Sequence, residues 1–325
     1  MPTAPPPDVP SRHDLAVPAA LSGARLDQAL AQLLPQHSRN RLKGWIEAGQ
    51  VVVGATVVVS PRHKLHGGET VVVTETPAAA DDRVAAQEIP LAIVYEDDAL
   101  LVLDKPAGLV VHPGSGNRDG TLQNALLHHA PALATLPRAG IVHRLDKDTS
   151  GLLVVAKTAV AHVELVRQLV ARSVKREYIA VVFGDLARAT TIDAPIGRHP
   201  TQRTEMAVVT AGKPARTHVD VVERFGAATL VQCRLETGRT HQIRVHLTAL
   251  GHPLLGDPTY RGRRKAGLPL PAAALAFPRQ ALHARRLGLI HPVTRAPMQW
   301  DSPPPADLAA LIAALRTAAR APAPR

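Results

Sequence analysis

The chain has 325 residues, 46% hydrophobic and 20% charged, a composition that suits a globular protein of roughly two domains and not a disordered polar chain. Its 38 Lys and Arg against 27 Asp and Glu give a formal charge of +11, so a polyanion is the expected partner. Nucleic acid comes before a membrane surface, because no run approaches the roughly 18 apolar residues of a spanning helix. With two Trp, three Tyr and three Phe, the chain is too poor in aromatics for a multi-aromatic RNA-stacking platform.

The opening, MPTAPPPDVPSRHD, lacks the positive and apolar regions of a secretion signal, and its prolines suggest a solvated tail over 1–15. A compact module is expected over 22–75. In it, ARLDQALAQLLPQ sets Leu26, Ala29, Leu30, Leu33 and Leu34 at helical spacing. SRNRLKGWIEAG offers Ser38 as N-cap, Leu42, Trp45 and Ile46 as the buried stripe and Gly49 as terminator. QVVVGATVVVS predicts a hairpin whose Gly54-Ala55 turn suits type II′. Arg39, Arg41 and Lys43 would project from the second helix beside it. The Ala-rich, Pro-flanked segment 76–90 reads as a linker.

The pattern changes from Leu91. LAIVYEDDALLVLDKPAG predicts a hairpin with an acidic turn at Glu96-Asp97-Asp98, and GLLVVAKT a buried strand. AVAHVELVRQLVAR sets Val160, Val163, Val166, Leu169 and Val170 on one helical face, the expected buried one. REYIAVVFG, ARTHVDVVERF and ATLVQCRLET are further strands, the last two antiparallel neighbours. Cys233 lies in the last as a small core residue; being the one cysteine, it allows no intramolecular disulfide and fits a reducing, cytoplasmic setting. GRTHQIRVHLTALG predicts a helix with Thr240 as cap and Gly251 as stop. Strands grouped with occasional helices argue for an α+β domain over 91–315, followed by a tail over 316–325.

Asp146-Lys147-Asp148-Thr149-Ser150-Gly151 admits three readings: metal loop, plain turn, or seat of a catalytic carboxylate. A calcium loop fails, because its twelfth position, which needs a bidentate Glu, is Lys157. Zinc finds no signature either: there is one cysteine, and His241 and His246 stand five apart, off helical pairing. TAGKPA lacks the glycine spacing and hydroxyl of a phosphate loop. A turn remains open for these six residues taken alone.

The longer string HRLDKDTSGLLVVAK, His143 to Lys157, resembles without a gap the signature of the RluA/RluD-type pseudouridine synthases. IVYEDDALLVLDKPAGLVVHPG, REYIAVVFG, TGRTHQIRVHLTALGHPLLGDPTY and QALHARRLGLIHPVT are similar to further blocks of that family, in the same order. Residues 22–75 resemble the S4-type RNA-binding module. The resemblance implies a pseudouridine-synthase fold with a mixed, mainly antiparallel sheet, preceded by a small S4-type α+β module. It implies isomerisation of uridines in large-subunit (23S) ribosomal RNA, in a stem-loop such as helix 69, with ribosomal RNA or a pre-ribosomal large subunit as partner.

The reaction oxidises nothing and imports no group, so no cofactor and no metal are expected, and a monomer is assumed. On the family's motifs Asp146 is the catalytic carboxylate, Arg244 its partner, and Tyr178 the ring that stacks on the extruded uracil and takes part in deprotonating C5. Arg144 would enter the space the base vacates. His143, Arg239 and His241, with Arg39, Arg41 and Lys43 of the module, complete the expected RNA contacts, while RGRRK at 261–265 and Arg285-Arg286 could follow the phosphate backbone. Two alternatives stand beside this: a non-catalytic RNA-binding ribosome-assembly factor, and a hydrolase, which lacks a second candidate carboxylate.

Overall fold

The computed structural model describes residues 11–35, 37, 39–75, 84–114, 117–202, 204–262 and 270–320. The chain divides into two units, residues 1–83 and 84–325. In the first, the alternation His13, Leu15 turns one side of β1 (Arg12–Ala16) inward, and this strand pairs antiparallel with β4 (Thr70–Thr74). Between them lie α1 (Leu26–Leu33), α2 (Arg39–Glu47), β2 (Val51–Val53) and β3 (Thr56–Val57), giving a sheet of order β1-β4-β2-β3.

Leu26, Ala29, Leu30, Leu42, Trp45 and Ile46 are buried against Val51, Val71 and Val73, as the helical spacing predicts. Gly54 has a φ of 62° and Ala55 does not share its positive φ, which fits the type II′ turn joining Val53 to Thr56. Two expectations change here. Residues 12–15, placed in the tail, belong to a strand, because edge pairing with β4 needs only a short half-buried segment. Ser38, the proposed cap, lies outside the described residues.

The second unit runs β5 (Ile93–Glu96), β6 (Leu100–Lys105), α3 (Leu122–His129), β7 (Ser150–Ala156), α4 (Ala159–Val170), β8 (Lys175–Phe183), β9 (Thr190–Asp193), β10 (Ile196–Arg198), β11 (Met206–Val208), β12 (Arg216–Arg224), β13 (Ala228–Leu235), α5 (Gln242–Ala249), α6 (Ala272–Leu275), β14 (Leu282–Ile290), β15 (Pro297–Asp301) and α7 (Ala306–Arg320). Among the described residues its main sheet has the order β5-β6-β7-β14-β8-β13-β12-β9, with β15 on β14. Only β7 and β14 run parallel in it, so the sheet is mixed and mainly antiparallel. α7 continues to Arg320, into the segment expected as tail from 316, because Leu308, Leu311, Ile312 and Leu315 form one buried stripe.

Strand periodicity sorts the core into two faces. Tyr178, Ala180 and Val182 of β8 face a cluster with Leu126, Ile243 and Leu247, whereas Ile179 and Val181 face the α7 side. Every residue of β7 is buried, and Cys233 is fully enclosed, with its thiol pushed up to about 12 by burial.

α4 overturns the predicted face. Val160, Val163, Val166 and Val170 are exposed, while Ala161, Glu164, Leu165 and Gln168 turn inward. The inner polar side chains have partners that no valine could replace. Gln168 donates to the Ile290 carbonyl at 2.7 Å and accepts the Ile290 N–H at 3.0 Å, extending the edge of β14 as a strand would. Glu164 accepts from Arg167 and pairs with Arg295.

Candidate active site

The string from Asp146 to Gly151 leads into β7, and most of its polar groups fasten the backbone. Lys105, 1% exposed, donates from Nζ to the carbonyls of Pro106, Leu109 and Lys147 at 2.7 to 2.9 Å. Burial brings its pKa down to about 8, against the pull of Asp148 and Asp146. Arg279 donates to the Asp148 carbonyl at 3.0 Å, Gln280 to the Thr149 hydroxyl at 3.2 Å, and Ser150 Oγ meets His283 Nδ1 at 3.0 Å. Gly151, with a φ of 113°, lies so close to the backbone of Ala284 that a Cβ would stand 2.3 Å from its carbonyl oxygen. The glycine serves strand contact, and its neighbours hold the turn that presents Asp146.

Asp146 keeps 16% of its side-chain surface and faces α5. Its Oδ2 accepts from Arg244 Nη1 at 3.1 Å. Arg244 in turn donates Nε and Nη2 to the two oxygens of Asp257, at 2.7 and 2.9 Å, a bidentate pair that fixes the guanidinium plane. Asp257 is enclosed, and its Oδ1 also accepts the N–H groups of Thr259 and Tyr260. Burial opposes the charge on Arg244, but the hydrogen bonds and charge of Asp257, with Asp146 behind them, raise its pKa above the ordinary value. The Tyr260 ring lies 4.9 Å beneath the guanidinium.

His241 precedes α5 with a φ of 56°, left-handed backbone for a non-glycine residue. The Tyr260 hydroxyl accepts the Met206 N–H at 2.9 Å, so its own proton is free to reach His241 Nδ1, 2.8 Å away. The other ring nitrogen, Nε2, stands 3.9 Å from Asp146 Oδ1. Burial lowers the His241 pKa, with Asp146 opposing and Arg244 assisting. Thr240, the predicted cap of α5, is exposed and caps nothing. The chain enters the helix through the left-handed turn at His241, and Gln242 Oε1 accepts the Arg239 N–H of the segment before it. Gly251 closes α5 with a φ of 88°, as expected.

Asp146, His241, Gln242 and Arg244 line a cleft of ≈ 550 Å³ that also includes His143, Arg144, Tyr178, Glu236 and Arg239. Seven of the ten expected site residues therefore meet there: Asp146, Tyr178, Arg244, Arg144, His143, Arg239 and His241. Tyr178 is 6% exposed, and burial raises its phenol above the ordinary value. Arg144 is exposed. The His143 ring accepts the Val154 N–H on Nε2 at 3.1 Å, and burial, with Arg176 nearby, takes its pKa down to about 3. The ring thus braces the motif against β7 while it lines the cleft.

Arg39, Arg41 and Lys43 belong to the other unit. Arg39 donates to Asp27 at 2.7 Å, Arg41 lies 5.1 Å over the Trp45 ring, and Lys43 pairs with Glu47 at 3.3 Å. Arg286 is held by Asp301 at 2.7 Å, Arg285 is exposed, and residues 263–265 lie outside the described set.

Three participants escaped the sequence reading. Asp257 and Tyr260 sit in GDPTY, where nothing local marks them as the anchors of Arg244. Arg176, 8% exposed, lines the cleft with Nε buried and without a hydrogen-bond partner. Its position two residues before Tyr178 on β8 puts both on one face, which was the available signal.

Comparison with known proteins finds a matching family and relatives over most of the chain. Residues 99–249 match the model of the RNA pseudouridylate synthase family, and residues 24–71 the S4 domain. The chain is 57% identical over 303 residues to ribosomal large subunit pseudouridine synthase D of Nitrosomonas europaea, covering 93% of this chain and 88% of that one. It is 56% identical to the protein of the same name from Pseudomonas aeruginosa, covering 92% and 94%. The solved structure of human RNA pseudouridylate synthase domain containing 1 superposes with a TM-score of 0.52 at 29% identity, over 74% of this chain and 99% of that one.

Proposed function

The chain belongs to the RNA pseudouridylate synthase family, and on that premise we propose that it converts uridines of large-subunit ribosomal RNA to pseudouridine with Asp146 as the attacking group. Uracil leaves C1′ of the ribose, turns, and rejoins through C5, which gives up its proton. The observation that carries this reading is the Asp146-Arg244-Asp257 chain. A fixed cation holds the Asp146 carboxylate at the wall of a cleft lined by Tyr178. A hydrolase with two carboxylates at the substrate is disfavoured, because Asp257 stands enclosed behind Arg244 and the other carboxylate of the cleft, Glu236, is engaged by His218 and Arg216.

The target nucleotide leaves its stack at a cost of a few kcal/mol, less in a loop such as that of helix 69. Tyr178 then supplies the stacking face for the uracil, Arg144 fills the vacated space, and Arg176 and Arg239 take flanking phosphates. The Tyr178 phenol, whose pKa burial raises further, is protonated at neutral pH, so it takes the C5 proton only while handing its own to water in the cleft. The N-terminal unit, with its S4 domain, docks structured RNA. The rival assembly-factor reading has no use for the Arg244 to Asp146 pair.

Mapping pseudouridine in 23S ribosomal RNA tests the proposal. Cells lacking the protein should lose specific pseudouridines, in the helix 69 loop among them, and regain them with wild type but not with Asp146→Asn. An unchanged map on deletion would contradict it.

A further inference from the structure

Three side chains remote in sequence converge in the N-terminal unit. His13 comes from β1, His37 from the turn between α1 and α2, and Glu75 from the residue after β4. Their ligand atoms lie within 4.8 Å of one another, and all three side chains are largely covered, at 26%, 12% and 19% exposure. His13 Nε2 stands 2.6 Å from Glu75 Oε1, and His37 Nε2 stands 2.7 Å from the same oxygen.

The two contacts differ in kind. His13 points at the oxygen as a hydrogen-bonding group does, but the His37 geometry does not: its Nε2 is buried and has no hydrogen-bond partner despite the short distance. A nitrogen and an oxygen this close without a hydrogen bond between them are ligand atoms that a shared cation would hold. The His37 ring is set by an edge contact with Trp45, centroids 4.9 Å apart.

We propose that His13, His37 and Glu75 form a divalent-cation site, with the donor set and size of zinc, that ties the first strand and the α1–α2 turn to the end of β4. Two imidazoles and a carboxylate are a known zinc donor set, with a fourth position left to water. Zinc bonds of about 2.0–2.1 Å place tetrahedral ligands about 3.3 Å apart, so the two contacts need to open by well under 1 Å. Spacing rules could not reveal this site, because its ligands are separated by whole elements. It is independent of the catalytic cleft, which needs no metal for its chemistry.

The test uses untagged full-length protein, with zinc titrated calorimetrically and cobalt(II) as a spectroscopic probe. One equivalent should bind, cobalt should show a visible band of tetrahedral intensity, and zinc should raise the melting temperature. His13→Gln and His37→Gln should each weaken zinc binding by roughly tenfold or more and abolish the band, whereas His66→Gln, at an exposed position in the same unit, should change neither. Circular dichroism and pseudouridine formation report that the variants remain folded. Absence of zinc binding to wild type, or binding that folded His13→Gln and His37→Gln variants retain, would overturn the proposal.

Discussion

Arg244 divides its donors between two carboxylates of unequal access: Asp257 is enclosed, while Asp146 keeps 16% of its side-chain surface. The division separates two consequences of mutation. Arg244→Lys keeps the charge but cannot make the fork, so turnover should fall by about 100-fold, as for loss of one preorganised electrostatic contact, with RNA affinity nearly unchanged. Comparable turnover in single-turnover assays would show that the fork is dispensable. Asp257→Asn leaves a buried guanidinium without its bidentate, fully enclosed anion and should cost about 3–5 kcal/mol of stability, read as a lower urea midpoint. Lys105→Met should act on the motif from beneath: three carbonyls lose their donor, the turn loosens, and both turnover and melting temperature should drop.

At the scale of elements, α4 and the strand under the motif make opposite demands on intuition. Substituting Ser for Val160 or Val163 should change stability by less than about 0.5 kcal/mol, while Gln168→Ala, which strips the edge of β14 of two hydrogen bonds, should cost about 1–3 kcal/mol by urea titration. The sequence alone pointed to the reverse, because periodicity marks where apolar residues lie and not which face finds specific partners. β6, β7 and β8 were legible as apolar runs, since central strands are covered on both faces. The α1 and α2 stripes were equally legible. The entry to α5 was not, because the left-handed residue before it is a histidine and no side chain caps the helix. Asp146, Tyr178 and Arg244 could be named only through the length of their motif matches. Their anchors, Lys105, Asp257 and Tyr260, act through contacts that sequence spacing does not encode.

For the whole molecule, buried histidines set the response to acid. His143, His241, His246 and His283 are all held below the ordinary histidine range, first by burial. The unfolded chain takes up those protons near pH 6.5 and the folded chain does not. Their contribution is therefore complete above about 6.5 and is lost as pH falls, by up to about 1.4 kcal/mol per pH unit for each ring. The urea midpoint should drop between about pH 7.5 and 5.5, and His143→Gln, whose amide oxygen can accept the Val154 N–H, should reduce that slope by about one histidine's share. A pH-independent midpoint would contradict this. Binding should respond to salt with a log-log slope of about −0.7 to −0.9 per phosphate engaged, as the +11 charge leads one to expect.

Deleting residues 1–75 should weaken affinity for structured RNA while leaving turnover on a minimal stem-loop, since the cleft is built wholly from the second unit. The most direct test of the central claim follows the hydrogen at C5, which must leave if the base is to rejoin the sugar there. With ribosomal RNA tritiated at uridine C5, wild type should release tritium to water in a single turnover, and Asp146→Asn should bind the same RNA with similar affinity yet release none. Tritium release by Asp146→Asn at the wild-type rate would contradict the account.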